Sequence, residues 1–464
     1  MIDYKDFLKT KEYKIMNYGF KANKLNKNLF DYQKEIVKWA LLKGKAALFE
    51  DTGLGKTIQQ LAWADAVVKH QQELNGAGYV LILAPLAVSK QTAKEGLKFG
   101  ISCNLVENMD DVRKGISITN YEKLHKFDVS IFDGIILDES SILKSYSGKT
   151  TKQIQDIFRN TKFKLCCTAT PSPNDYTEIG TTAEFLDVMP RSEMLSTFFI
   201  NDQIKKKGKT GRLGWRLKHH AENEFFKWMA TWAMMIDSPS NLGFDGSAFD
   251  LPELNINVVK LKSEADEEHL IPILAETMTE RRQARKDSMS DRISATKKIA
   301  ERKENCLIWC DFNYESEALS KAINASVEVT GSDKPEHKED AMMGFAENKI
   351  KYLISKPSIC GFGMNWQNCH DMIFCGLSDS FEQFYQAVRR CYRFGQKKEV
   401  NVYIVISERE ENIIENIKRK QADHERMKEQ MIKIMSEISI NEIHNHETVR
   451  SDYKAIEEMR MPLF

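Results

Sequence analysis

The segment Glu50-Asp51-Thr52-Gly53-Leu54-Gly55-Lys56-Thr57 constrains this 464-residue chain more than any other. Before it, Lys45-Ala46-Ala47-Leu48-Phe49 has the low charge and the side chains of a short buried strand. After it, Ile58 to Val68 is helical in pattern. Strand, glycine-rich turn and helix in that order open an α/β unit of a parallel sheet. Gly53 and Gly55 allow a tight turn whose backbone N–H groups point inward at an anion. The positive end of the following helix faces the same place. Lys56 can reach the β- and γ-phosphates of a nucleotide, and the Thr57 hydroxyl can hold Mg²⁺. The common form of this loop has Gly five places before the second Gly, where Glu50 stands here, so a strict pattern would miss it.

The carboxylates such a loop needs follow in order. Phe132-Asp133-Gly134-Ile135-Ile136-Leu137 reads as an apolar strand ending in Asp138-Glu139-Ser140-Ser141. An Asp at a strand's end can hold Mg²⁺, usually through water. The adjacent Glu139 points elsewhere and can polarise an attacking water as a general base. Far downstream, Gln386-Ala387-Val388-Arg389-Arg390-Cys391-Tyr392-Arg393-Phe394-Gly395-Gln396 can bring two arginines to the same phosphates from a separate domain.

With these residues the chain resembles the superfamily 2 helicases and translocases, DEAD/DEAH-box-like and nearest the Swi/Snf type, in its compact phage or bacterial form. The resemblance runs from about Leu29 to Ile406. Leu29-Phe30-Asp31-Tyr32-Gln33 resembles the adenine-reading Q motif, with Gln33 as the base contact. Asp51 to Thr57 matches the family's Gly-Leu-Gly-Lys-Thr phosphate loop, which implies nucleotide contacts from Thr52, Gly53, Leu54, Gly55, Lys56 and Thr57. Leu83-Ala84-Pro85 and Ile118-Thr119-Asn120-Tyr121-Glu122 resemble the first-lobe segments that hold a nucleic-acid backbone, which implies contacts from Pro85, Thr119 and Asn120. Thr168-Ala169-Thr170-Pro171, with Asn174 after it, is similar to the Thr-Gly-Thr-Pro motif that couples hydrolysis to strand contact. Cys360 to Asn365 resembles motif V, implying Gly363 at the nucleotide and Asn365 at the nucleic acid. Gln386 to Gln396 resembles motif VI, with Arg390 and Arg393 as arginine fingers and Gln386 and Gln396 as its bounds. Arg389 stands where the family usually has Gly, so an extra positive charge sits beside the fingers. Ser140-Ser141 replaces the family's Ala-His, whose His links the ATP site to the other lobe, and Ala169 replaces a Gly.

Composition fits a soluble globular protein, at 42% hydrophobic and 29% charged residues. No run is long enough to span a bilayer, and Met1-Ile2-Asp3-Tyr4-Lys5-Asp6 lacks a signal-peptide pattern. The nine cysteines form no Cys-x-x-Cys pair and several sit in apparent core strands, pointing to a reducing cytoplasm, bacterial or phage-infected. The 10 histidines are scattered and suggest no metal site. With a net charge of +0, a nucleic-acid enzyme must concentrate its cations locally. Lys205, Lys206, Lys207, Lys209, Arg212, Arg216 and Lys218 cluster among Gly208, Gly211 and Gly214 beside Trp215. That segment reads equally as a phosphate-gripping loop or a solvated surface loop, and its position between the lobes favours the first.

The expected architecture is α/β: two tandem RecA-like parallel-sheet lobes, a helical and basic insertion between them, and a charged helical C-terminal tail. The divisions are 1–29 as a lead-in, 30–190 as lobe 1, 191–255 as the insertion, 256–304 as a charged helical connection, 305–406 as lobe 2 and 407–464 as the tail. Within the insertion, Phe225 to Ile236 reads as one apolar helix with Trp228 and Trp232 at i and i+4. The implied function is ATP hydrolysis with Mg²⁺ coupled to movement on DNA (duplex, forked or single-stranded) in replication, recombination or repair. A protein–DNA remodeller or an RNA helicase is the alternative. A replication or recombination protein could dock on the tail, and no membrane is involved.

Overall fold

The computed structural model describes residues 17–173, 175–201, 214–262, 278–361 and 364–445, with side chains as far as residue 436. Asn174, Gly363 and the cations Lys205, Lys206, Lys207, Lys209 and Arg212 lie outside the described residues.

Fifteen strands are described: β1 Lys45–Glu50, β2 Tyr79–Ala84, β3 Cys103–Leu105, β4 Gly115–Asn120, β5 Gly134–Asp138, β6 Phe163–Cys167, β7 Phe199–Asn201, β8 Trp215–Leu217, β9 Ala233–Ile236, β10 Leu254–Leu261, β11 Cys306–Trp309, β12 Ser326–Glu328, β13 Tyr352–Ser355, β14 Asp371–Cys375 and β15 Val400–Ser407. Lobe 1 is a parallel sheet in the order β3-β4-β2-β5-β6-β1-β9. Lobe 2 is a parallel sheet in the order β10-β15-β14-β11-β13-β12. Both are RecA-like, and their central strands are continuous apolar runs because helices cover both faces. A two-stranded antiparallel ribbon, β7 with β8, closes the base of the basic segment. No described helix is long and apolar enough to cross a membrane.

Three elements depart from the sequence reading. The apolar stretch Phe225–Ile236 is not one helix. Helix Glu222–Ala230 ends in a turn, and the chain runs on as β9, which pairs with β1 at the edge of lobe 1. A short apolar run satisfies either period, so its partner decides. Trp228 and Trp232 still meet, with ring centroids 5.4 Å apart, but across a turn rather than along a helix. Likewise β10 pairs with β15 and belongs to the lobe 2 sheet. The two sheets thus take in residues assigned above to the insertion and to the connection.

The tail is the third departure. Helix Glu411–Asn445 spans 35 residues, about 50 Å. Ile413, Ile414 and Ile417 are buried in the lobe 2 core. One turn after another, Met427, Met431 and Met435 enter the lobe 1 core. The helix is a strap from one lobe to the other, its methionines and isoleucines packed into the two cores. Lys428 on the strap pairs with Asp237 of lobe 1 at 3.1 Å. Met431 is fully buried. Met431→Ala is expected to cost about 2–5 kcal/mol, read as an earlier urea midpoint of tryptophan fluorescence. An unchanged midpoint would mean that the strap does not stabilise lobe 1.

Candidate active site between the lobes

β1 delivers the phosphate loop to the cleft. Gly53 and Gly55 have φ of 97° and 81°, in the left-handed region that favours glycine. Space demands glycine as well: a Cβ on Gly53 would lie 2.8 Å from the Phe394 nitrogen of lobe 2, and one on Gly55 would lie 2.4 Å from Gln33 Nε2. Helix Lys56–Asn75 starts at the loop's end, so its unpaired N–H groups face the cleft. Thr57 lies in its first turn. Lys56 Nζ donates to the carbonyls of Glu50 at 2.7 Å and Asp51 at 3.0 Å. Leu54 supplies a carbonyl on which three side chains converge: Tyr32 OH at 2.7 Å, Gln33 Nε2 at 2.9 Å and Gln59 Nε2 at 3.3 Å. Thr52 Oγ1 is buried without a partner.

Gln33 stands directly beside the phosphate loop. Its amide is buried, with Nε2 on Leu54 and Oε1 accepting from the Phe30 N–H at 2.9 Å. Here it braces the phosphate loop, and its Oε1 keeps a second lone pair. Glu50, where the common loop has Gly, is fully buried and takes a hydrogen bond from Gln59 at 2.7 Å. Burial pushes its carboxyl up to about 7 despite Lys56 nearby.

β5 ends in Asp138. Gln60 Nε2 donates to Asp138 Oδ1 at 2.7 Å, and Tyr121 OH donates to its carbonyl at 2.6 Å. Burial raises the Asp138 carboxyl. Glu139 has φ 54° and ψ 54°, a left-handed conformation in a non-glycine residue. Such strain costs about 1–3 kcal/mol and persists where the surroundings over-determine it. It turns consecutive carboxylates apart. Glu139 Oε2 is shut off from solvent without a hydrogen-bond partner. Burial, and then the Asp138 charge, push Glu139 up to about 7. Sequence reasoning missed Gln60 and Tyr121. One helical turn past Lys56, Gln60 had a signal in its spacing; Tyr121 had none.

Lobe 2 faces these groups with helix Phe381–Val388 and the turn after it. Arg390 is 3% exposed and anchored within its own lobe. It donates to Gln386 O at 2.9 Å, Gln386 Oε1 at 3.0 Å and Met364 O at 3.1 Å. Burial, with Arg393 beside it, lowers Arg390 to about 10, so it stays charged at neutral pH; Glu139 and Asp138 across the cleft oppose that shift. Arg393 Nη1 also reaches Met364 O, at 3.4 Å, while its Nε is buried without a partner. Gln396 knots the turn, its Nε2 donating to the carbonyls of Cys369, Gln367 and Cys391 at 3.0–3.2 Å. A pocket of about 200 Å³ between the lobes is lined by Thr52, Gly53, Phe249, Arg389, Tyr392 and Phe394, among others.

Of the expected nucleic-acid contacts, Pro85, Thr119 and Asn120 come together at neighbouring strand ends, where Leu83 pairs with Thr119 and Ala84 with Asn120. Thr119 and Asn120 end β4 at 3% and 4% exposure, and the Asn120 side chain caps the Lys123 N–H at 3.1 Å. Thr168 and Thr170 are buried, with Thr168 Oγ1 accepting from the Thr170 N–H at 3.1 Å. Thr119 and Asn120 thus close β4, while Thr168 and Thr170 lie in the loop that follows β6. Pro85 is half-buried and Asn365 exposed. Arg216 lies on β8, and Lys218 donates to the Ser196 and Thr197 carbonyls.

A phosphate loop and a carboxylate pair on one lobe, facing paired arginines on another, define a two-lobed nucleotide hydrolase. Known proteins specify it further. The SNF2-related domain family matches residues 32–225, and the helicase conserved C-terminal domain family matches residues 291–395. The chain is 23% identical over 467 residues to the uncharacterized ATP-dependent helicase YqhH of Bacillus subtilis, covering 89% of this chain and 81% of that protein. It is 29% identical over 200 residues to the DNA excision repair protein ERCC-6-like of Danio rerio, covering 37% of this chain and 13% of that protein. The Sulfolobus solfataricus SWI2/SNF2 ATPase core in complex with dsDNA aligns with a TM-score of 0.40 at 19% identity, covering 89% of this chain and 95% of that one. The chain belongs to the superfamily 2 helicases and translocases of the Swi/Snf type, enzymes that hydrolyse ATP.

Proposed function

We propose that this protein couples ATP hydrolysis to translocation on DNA, in phage or bacterial replication, recombination or repair, within the cytoplasm of the cell concerned. The observation that carries the reading is the apposition of Glu139 on lobe 1 with Arg390 on lobe 2 across one cleft, with Arg393 beside Arg390. ATP is the substrate. Lys56 exchanges its bonds to the Glu50 and Asp51 carbonyls for the β- and γ-phosphates, and the loop N–H groups cradle them. Thr57 and Asp138 would hold Mg²⁺, which neutralises phosphate charge; a phosphate-bound Mg²⁺ needs few protein ligands, so a hydroxyl and one carboxylate fit it. Glu139 takes a proton from water, and its partnerless oxygen is suited to that. Arg390 and Arg393 stabilise charge on the transferring phosphoryl group, and only apposed lobes can deliver them.

DNA as the track is favoured by the repair function named for one relative, and by the cations between Lys205 and Lys218. Nucleic acid lying across both lobes would favour their apposition, and alternating closure would move the enzyme along a strand. The test is ATP turnover with no nucleic acid, single strand, duplex, fork and RNA, with strand displacement read on the fork. Stimulation by duplex without displacement is expected. Displacement would make the protein a strand-separating helicase, and stimulation by RNA alone would overturn DNA as the track.

A further inference from the structure

Beside the groups assigned to hydrolysis, the cleft holds a row of side chains with no part in the chemistry. Glu382, Tyr385 and Arg389 stand at i, i+3 and i+7 along helix Phe381–Val388 and its cap, hence on one face. All three meet lobe 1. Glu382, 9% exposed, pairs with Lys144, which follows Glu139 by five residues. Arg389 Nη2 lies 2.5 Å from Asp51 Oδ2, and Tyr385 OH donates to Asp51 Oδ1 at 2.5 Å. Both side chains of the Asp51–Arg389 pair are shielded, at 9% and 12% exposure. Although burial pushes the Asp51 carboxyl up, Arg389 and Lys428 hold it below the ordinary range, so the pair stays ionised.

The lobe 1 anchors are not arbitrary. Asp51 opens the phosphate loop, and Lys144 lies on the segment leading from Glu139. The helix that grips them runs directly into Arg390. Arg390's own hydrogen bonds go to Gln386 and Met364, so they fix it only within lobe 2. Its register against lobe 1 must come from contacts that cross the cleft. A Gly at position 389 would have no side chain to reach Asp51, so this end of the grip depends on the arginine of this chain.

We propose that Glu382, Tyr385 and Arg389 are positioning residues: a two-point clasp that holds Arg390 in register with the phosphate loop and Glu139 before nucleic acid binds. The proposal rests on Arg390 being an arginine finger. A clasped pair of lobes already holds the geometry that separated lobes must find, so hydrolysis proceeds without a strand to draw them together.

Arg389→Gly, Tyr385→Phe and Glu382→Gln test this in the full chain, with melting curves as a folding control; Tyr385→Phe removes only one hydroxyl. Without nucleic acid, Arg389→Gly should lower kcat about tenfold with KM for ATP within about twofold, and saturating duplex DNA should restore the rate to within about threefold. Lys144→Glu and Glu382→Lys should each lower the rate, and the two together should recover most of it. Energy transfer between labels at Lys69→Cys and Lys349→Cys, exposed on the two lobes, should change in Arg389→Gly without nucleotide. An equal loss with and without DNA, a rise in KM at constant kcat, or unaltered transfer would overturn the clasp. Altered transfer with an unaltered rate would instead overturn Arg390 as the finger.

Discussion

Glu139→Gln is expected to lower ATP turnover by about 10³-fold, within the range assigned to a positioned general base, while ATP still binds. The change keeps the size of the side chain and removes its capacity to take a proton. Its Oε2 has no hydrogen-bond partner, so no structural bond is lost there. The local charge also changes in a favourable direction for folding, because burial and Asp138 already disfavour ionised Glu139. The same perturbation sets a pH dependence. A base must be ionised to act, and Glu139 sits at about 7, so kcat/KM should fall as pH drops through that value and level off above it. The residual rate of Glu139→Gln should show no such limb. Single-turnover hydrolysis and ATP binding measured side by side decide the matter. Near wild-type turnover in the variant would remove Glu139 from the chemistry.

Arg390→Ala should be comparably severe, with a loss of roughly 10³-fold in stimulated ATPase activity. Part of any stability change would be local: removing the guanidinium leaves Gln386 Oε1 without its donor, at about 1–3 kcal/mol for a buried unsatisfied group, and leaves Met364 O only the longer bond from Arg393. Arg390→Lys separates the two effects, since it keeps charge but not the planar fork that reaches three acceptors. Arg393→Ala should lose most activity as well, its Nε being buried and unpaired. Both variants should still bind DNA, because a finger stabilises the transition state rather than holding a strand. Loss of DNA binding with intact basal hydrolysis would place these arginines on the track instead.

The local pieces of the ATP site were legible because each is built from residues adjacent in the chain. Gly53 and Gly55 are dictated by the turn itself, and their positive φ angles follow from the motif. Asp138 and Glu139 sit where an apolar strand runs out, which periodicity alone locates. The burial of the nucleic-acid candidates was less legible, since a motif names residues but not which of them the fold covers: Thr119 and Asn120 at the end of β4, and Thr168 and Thr170 in the loop after β6, are buried. Gln33 shows the same limit. Its place beside the loop follows from the motif, but that its amide braces Leu54 depends on a 21-residue separation closed only by folding.

The sequence by itself determined the two α/β lobes, the phosphate loop, the carboxylate pair and the paired arginines, because short-range backbone geometry and side-chain chemistry specify each of them. Only the tertiary structure decided where the apolar and charged segments between and after the lobes would go. Phe225–Ile236 could satisfy a helix or a strand until β1 offered an edge, and the tail read only as a charged helix until lobe 1 received Met427, Met431 and Met435. Arg389 was a surplus charge beside the fingers in the sequence. It became an interlobe tie because Asp51, 338 residues away, closes on it, and such a pairing is set by the packing of whole lobes, to which local pattern is blind.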